Sequence, residues 1–184
     1  MKLKYIFVCI AIFSIYITGC SLKSEVEPNG QVAYNHLTLD LDETNLYEYA
    51  GTMDYIFIGT VEEIVDDIVN SDFPNRIYRI KVNENLKGKL VTTVEVKKQG
   101  GYNNEGTLIL NETDQSKDNG LPQVNKQYIF MTYSQVDGSL LLAEINGNIE
   151  LTDELMKKEY QDYIKNEIED SRKRFISKYD QNST

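Results

Sequence analysis

The spacing of hydrophobic and polar positions changes character twice along the chain. Residues 5–17 (YIFVCIAIFSIYI) form an apolar run with Ser14 as the one clearly polar member. Between Tyr55 and Leu151, short stretches alternate with a period of two, the spacing of half-buried strands. From Asp153 the period lengthens to about 3.6, the spacing of a helix with one buried face.

Alternation is clearest over Arg76–Leu86, where Tyr78, Ile80 and Val82 oppose Arg79, Lys81 and Asn83. Lys87-Gly88-Lys89 turns the chain into 91–97, where Val94 and Val96 oppose Thr93, Glu95 and Lys97. Tyr55–Val65 is apolar on both faces through its first half, and its central Gly59 marks a bulge or sharp bend. Gly100-Gly101 and Asn103-Asn104 reverse the chain before Thr107–Asn111, and a polar loop runs over 112–127. Asp137-Gly138 between Tyr128–Tyr133 and Leu140–Ile145 is the strongest hairpin signal. Asn146-Gly147 then turns into Ile149-Glu150-Leu151.

Two helices flank these strands. Residues 42–51 (DETNLYEYAG) predict a short one, capped by Asp42 or Thr44 and ended at Gly51 by a left-handed turn. Met156, Tyr160, Ile164 and Ile168, with Tyr163, Phe175 and Ile176 nearby, predict one long amphipathic helix over 152–180. Asp153 at its start and Arg172, Lys173, Arg174 and Lys178 near its end suit the helix dipole. The pattern therefore predicts a mainly β protein with α: a small OB-like antiparallel barrel of about six to seven strands, a short N-terminal helix, and a long C-terminal helix packed on the barrel. The expected division is a leader over 1–19, a polar tether over 20–35, the barrel domain over 36–151, the helix over 152–180, and a frayed tail over 181–184.

The leader carries Lys2 and Lys4 before its apolar run and the small residues Thr18 and Gly19 after it, the order of a secretory signal. As a helix the run reaches only ~20 Å, short of the ~30 Å hydrocarbon core. Ile17-Thr18-Gly19-Cys20 resembles the lipobox of bacterial lipoproteins. That resemblance implies cleavage between Gly19 and Cys20, diacylglyceryl attachment (palmitate-type acyl chains) at the Cys20 sulfur, and a place on the extracytoplasmic face of the cell membrane. Two acyl chains give stable anchoring where one does not.

The block Met53-Asp54-Tyr55-Ile56-Phe57-Ile58-Gly59-Thr60-Val61, then Tyr78-Arg79-Ile80-Lys81-Val82, Leu86-Lys87-Gly88, Tyr128-Ile129-Phe130 and Asp137-Gly138, resembles the OB-like barrels of netrin-module and tissue-metalloproteinase-inhibitor proteins. It is also similar to a widespread set of uncharacterised Gram-positive lipoproteins. Those inhibitors hold zinc through a free amino-terminal cysteine and brace the barrel with disulfides. Here Cys20 is expected to be alkylated and distant from the barrel, so no inhibitory residue carries over.

Composition narrows the partners. The net charge is −10, and it becomes more negative once Lys2 and Lys4 leave with the leader, which disfavours nucleic acid. Cys9 leaves as well, so no disulfide is available to the mature monomer. A single histidine, His36, cannot build a usual zinc site, and a nucleophilic triad would have to depend on it. No metal, cofactor or catalytic residue is assigned, and the protein is not read as an enzyme. Asp40-Leu41-Asp42-Glu43-Thr44-Asn45 begins like a calcium loop, but Asn45 and Gly51 stand where an EF-hand needs Gly and Glu. Glu62, Glu63, Asp66 and Asp67 serve either as an acid–base set or as a charged strand end that discourages edge pairing.

Tyr102, Asn103 and Asn104 are the candidates for ligand contact, with Tyr102 either touching a ligand or folded over the barrel mouth as a plug. The expected function is a binding or interaction module of the cell envelope that contacts a protein, peptide or glycan. The alternatives are a carboxylate-dependent cell-wall hydrolase and an assembly lipoprotein acting through its C-terminal helix.

Overall fold

The computed structural model describes residues 27–35, 44–69, 73–111 and 120–183. The leader, Gly19, Cys20, His36, Asp40, Asp42, Glu43 and residues 112–119 of the polar loop lie outside the described residues. In chain order the elements are β1 (Val32–Asn35), α1 (Leu46–Thr52), β2 (Tyr55–Ile68), β3 (Asn75–Lys87), β4 (Thr93–Gln99), β5 (Gly101–Tyr102), β6 (Leu108–Asn111), β7 (Gln127–Ser134), β8 (Leu140–Leu142), β9 (Asn148–Glu150) and α2 (Glu154–Lys165).

Strands β2, β3, β4, β8 and β7 close into a five-stranded barrel, because β2 pairs with β3 along its length and with β7 over Tyr55–Thr60. The β4–β8 pair is parallel and the other barrel pairs are antiparallel, an arrangement that fits an OB-like barrel. β9 adds outside the ring, on β7. The β2–β3 register shifts between Ile58 and Gly59, the bend expected from the interior glycine. Asp137-Gly138 forms the β7–β8 turn, with Gly138 at φ +77° and the Gln135 N–H donating to Ser139 O.

The alternation explains the layers. Tyr55, Phe57 and Val61 of β2 point into the barrel with Tyr78, Ile80, Val94, Val96, Tyr128, Phe130, Leu140 and Leu142. Phe57 and Phe130 stack at 5.3 Å between ring centroids. The intervening residues, Ile56 and Ile58 of β2 with Ile129 and Met131 of β7, form a second core beneath Tyr49, Ala50 and Met53 of the α1 region and Tyr160 of α2. β2 and β7 are thus apolar on both faces because helices cover their outer side. β3 and β4 alternate because their outer side meets water. Each large side chain buried this way contributes roughly 1.5–3 kcal/mol.

Four expectations are corrected. The C-terminal helix is short: α2 ends at Lys165, where the Asn166 N–H and side-chain amide both donate back to Asp162 O. Met156, Tyr160, Tyr163 and Ile164 do pack on the second core, but Ile168 and Ile176 are exposed in irregular chain beyond the helix. Gly51 does not end α1 with a left-handed turn; it lies within the helix, and a methyl group there would overlap the Ile168 carbonyl. The α1 cap is Asn45, whose side chain accepts from the Glu48 N–H, in place of Asp42 or Thr44. Last, Val32–Asn35, expected as the end of the tether, is a strand parallel to β6. Asn29 ties that segment down, its N–H donating to Gly106 O and its amide to Glu105 O.

The tail over 181–183 is also stitched down, with the Gln181 N–H donating to Lys89 O and its amide to Leu90 O. Among the described residues, no helix is long and apolar enough to cross a membrane.

Candidate functional site

The barrel has two ends, defined by the β2–β3 ladder: one where Ile56 meets Lys87, the other where Ile68 meets Asn75. The C-terminal segment crosses the first, and Tyr102 lies at the second.

At the tail end, Arg172 and Arg174 reach the carbonyls left without helical partners after α1. Arg172 Nε and Nη2 donate to Thr52 O at 2.9 and 2.6 Å, and Arg174 donates to Gly51 O and to Met53 O. The same two guanidinium groups clasp Asp54 Oδ1 at 2.7 and 3.2 Å, while Asp54 Oδ2 accepts the Ser134 N–H. Of the four cations placed by sequence near a helix C-terminus, Arg172 and Arg174 do stand at one, but it belongs to α1. Tyr55 OH donates to Asp180 and accepts from the Ser177 N–H; burial, together with Asp180, pushes its pKa up to about 12. Tyr179 packs against the barrel core, and Leu90 bridges to Asp180.

A cleft of about 450 Å³ opens here, lined by Asp54, Lys87, Glu167, Glu169, Asp170 and Asp180 among others. Several carboxylates sharing a cleft is what the hydrolase alternative requires. Their engagement speaks otherwise. Asp54 holds the two arginines, Glu167 pairs with Lys87 at 2.5 Å, Asp170 pairs with Arg172 at 3.6 Å, and Asp180 holds Tyr55. Desolvation lowers the Lys87 pKa and Glu167 partly restores it. These groups fasten the C-terminal segment to the barrel.

The Tyr102 end is built differently. Gly100 and Gly101, at φ +115° and +131°, break the chain from β4 into β5 in a backbone region that side chains disfavour. Tyr102 is half-buried, and the Arg76 guanidinium lies over its ring at 5.9 Å. Arg76 is fixed in turn by Asp67, Nε to Oδ1 at 2.5 Å and Nη2 to Oδ2 at 3.3 Å. Below it, burial raises the Tyr78 pKa, and the Arg76 guanidinium, which faces the Tyr78 hydroxyl, opposes that rise; apart from Arg76 that hydroxyl meets no hydrogen-bond partner.

Gln99 Oε1 and both amide atoms of Asn111, which is only 4% exposed, lack partners. Each such atom costs roughly 1–3 kcal/mol relative to a satisfied or apolar group. Lys98, 1% exposed, directs Nζ at the Glu144 and Ala143 carbonyls at 2.8 and 3.3 Å. Elsewhere Ser134 Oγ and Asn148 Oδ1 are unpartnered too, so the remaining polar frustration concentrates at this end without being confined to it.

The three sequence candidates separate. Tyr102 sits on the ion pair. Asn103 is engaged in its own turn, its Oδ1 accepting from the Glu105 and Thr107 N–H groups at 3.0 Å each. Asn104 is exposed beside it. The acid–base set is dispersed along β2: Glu62 is exposed, Glu63 pairs with Arg79, and Asp67 pairs with Arg76, following the register that sets Glu63 opposite Arg79 and Asp67 opposite Arg76. Sequence reasoning missed Arg76, Lys98, Gln99 and Asn111. Lys98 carried a signal, because it continues the inward positions Val94 and Val96 of β4. Among the described residues, no group of three His, Cys, Asp or Glu side chains converges as a metal site.

No protein-family model matches the chain, and no curated protein matches it in sequence.

Proposed function

We propose that this chain is an exported lipoprotein, lipidated at Cys20 and held on the extracytoplasmic face of the cell membrane, whose barrel is a binding module of the cell envelope. Its ligand is an envelope protein, peptide or glycan, met at the Tyr102 end. The observation that carries the binding site is the contrast between the ends. At the tail end the charged groups hold one another and the C-terminal segment. At the Tyr102 end, Gln99 and Asn111 keep buried polar atoms without partners, and the Tyr102 ring stacks on the Arg76–Asp67 ion pair. Buried unpartnered groups lower stability, and sites that meet ligands tolerate that cost.

The anchor rests on the leader pattern and on Ile17-Thr18-Gly19-Cys20. The hydrolase alternative loses ground because four carboxylates of the cleft, Asp54, Glu167, Asp170 and Asp180, are engaged with neighbouring groups. The assembly alternative loses ground because Met156, Tyr160, Tyr163 and Ile164 pack on the second core.

Two measurements test the reading. Metabolic labelling with a fatty-acid analogue is expected to mark the chain and to fail on Cys20→Ala; equal labelling of both would remove the anchor. A photo-crosslinking residue in place of Tyr102 or Asn104, on intact cells, is expected to capture one dominant envelope component. The same residue in place of Leu155, which is 66% exposed on α2, is expected to capture none of it. Equal capture from both surfaces would contradict a site at the Tyr102 end.

A further inference from the structure

β1 pairs on one side with β6, and among the described residues its other edge has no neighbour. The Leu108 N–H donates to Gln31 O, and Val32 is the Cα partner of Leu108. In a parallel ladder of that register Gln31, Ala33 and Asn35 turn their backbone groups towards β6. The N–H and C=O of Val32 and Tyr34 therefore point along the edge away from β6. Their side chains share one face of the small sheet with Leu108, Leu110 and Tyr102, and they stand 49% and 63% exposed.

Natural edges are usually guarded by charge, proline or a bulge. The edge of this strand, VAYN, has none of these, although the chain as a whole carries a net charge of −10. By contrast, the far half of β2 carries four acids.

We propose that β1 pairs antiparallel with β1 of a second copy of this chain, about a two-fold axis through Ala33. The sequence is self-complementary in that register. Val32 and Tyr34 face Tyr34 and Val32 of the other copy, so all four outward N–H and C=O pairs are met. The four side chains fall on one face as aromatic–β-branched pairs, a favourable combination across strands. Ala33 meets its counterpart at a non-hydrogen-bonded position, where Cα atoms approach to about 4.5 Å and a small side chain fits. The two small sheets become one six-stranded sheet.

A four-residue ladder buries well under the ~1,200 Å² of a stable interface. The pairing is therefore weak in dilute solution and takes effect where copies are concentrated on one surface, a point that rests on the proposed anchor.

Variants of the full chain that each add one cysteine, oxidised in isolated membranes, test the register. Ala33→Cys is expected to give a disulfide-linked dimer about tenfold above Val136→Cys, since only the former brings like residues within disulfide reach. Gln31→Cys and Asn35→Cys are each expected to stay monomeric alone and to crosslink when co-expressed. A yield from Ala33→Cys no greater than from Val136→Cys overturns the proposal, as does equal crosslinking by Gln31→Cys alone. The parent chain reports the anchor separately: a dimer through its native Cys20 shows a free thiol there and contradicts lipidation. The Ala33→Cys result is read as the increment over that background.

Discussion

The two ends of the barrel are made from the same strands and solve opposite problems. At the tail end, irregular chain from Glu167 onward is held by ion pairs and by hydrogen bonds to backbone carbonyls, and Asp54 anchors two arginines there. At the Tyr102 end the strands finish on a glycine pair, a stacked Arg76–Asp67 couple and polar side chains whose buried atoms find no partner. At the tail end the charged groups are paired, although Ser134 Oγ beside Asp54 is not. At the Tyr102 end more of the buried polar atoms are left without partners, at a cost to folding.

The sharpest way to break this comparison is at Asp54, whose side chain is 5% exposed. Asp54→Ala leaves two cations without their carboxylate and the Ser134 N–H without an acceptor. It is expected to lower unfolding stability by about 3–5 kcal/mol in denaturant titration. A loss under about 1 kcal/mol would mean that the tail end is not held as described.

Gly51→Ala comes next. Alanine is the better helix former by about 1 kcal/mol, so an isolated α1 would gain from it. Because the added methyl overlaps the Ile168 carbonyl, the expected outcome is a net loss of roughly 2 kcal/mol, of the size seen for forced overpacking. Truncation before Gln181 removes two hydrogen bonds to Lys89 O and Leu90 O and is expected to cost about 1–2 kcal/mol, whereas a frayed tail would cost nothing.

The smallest effect is with pH. Ser139 holds the Asp137 carboxyl below its usual range through side-chain and backbone hydrogen bonds, and the Met156 N–H does the same for Asp153 at the start of α2. Both folded pKa values are depressed. Their stabilisation is therefore present above the ordinary carboxylate pKa and is lost as pH falls through the lower folded values. Asp137→Asn and Asp153→Asn are expected to flatten the acid limb of a thermal-unfolding profile slightly.

Much of the architecture was legible because it follows from alternation. The both-face apolar run at Tyr55–Ile58 marked a strand that carries helices outside and core inside, while Tyr128–Met131, apolar on both faces for the same reason, was legible only as one arm of a hairpin. The Asp137-Gly138 turn and the Gly59 bend were local and therefore readable. The C-terminal segment was not. Its apolar residues keep an approximate helical spacing through Ile168, but what fixes Arg172 and Arg174 is a set of carbonyls about 120 residues away in sequence. β1 was hidden for the same reason, since its partner β6 lies 76 positions further on.

Of the candidate site, Tyr102 was readable as an aromatic beside a glycine turn. Arg76 was not singled out, although like Lys98 it is in phase with the inward residues of its strand, and Asn111 reads as the last residue of a strand before a polar loop.

The most direct test of the central contrast is the unfolding free energy of Asn111→Leu, measured beside the parent. If the Asn111 amide is buried without partners, an apolar side chain of similar size is expected to raise stability by about 1–2 kcal/mol, while capture from the Tyr102 surface falls. A loss of 1 kcal/mol or more would show that Asn111 is hydrogen-bonded in the folded protein. The Tyr102 end would then be as satisfied as the tail end, and the contrast on which the binding site rests would be gone.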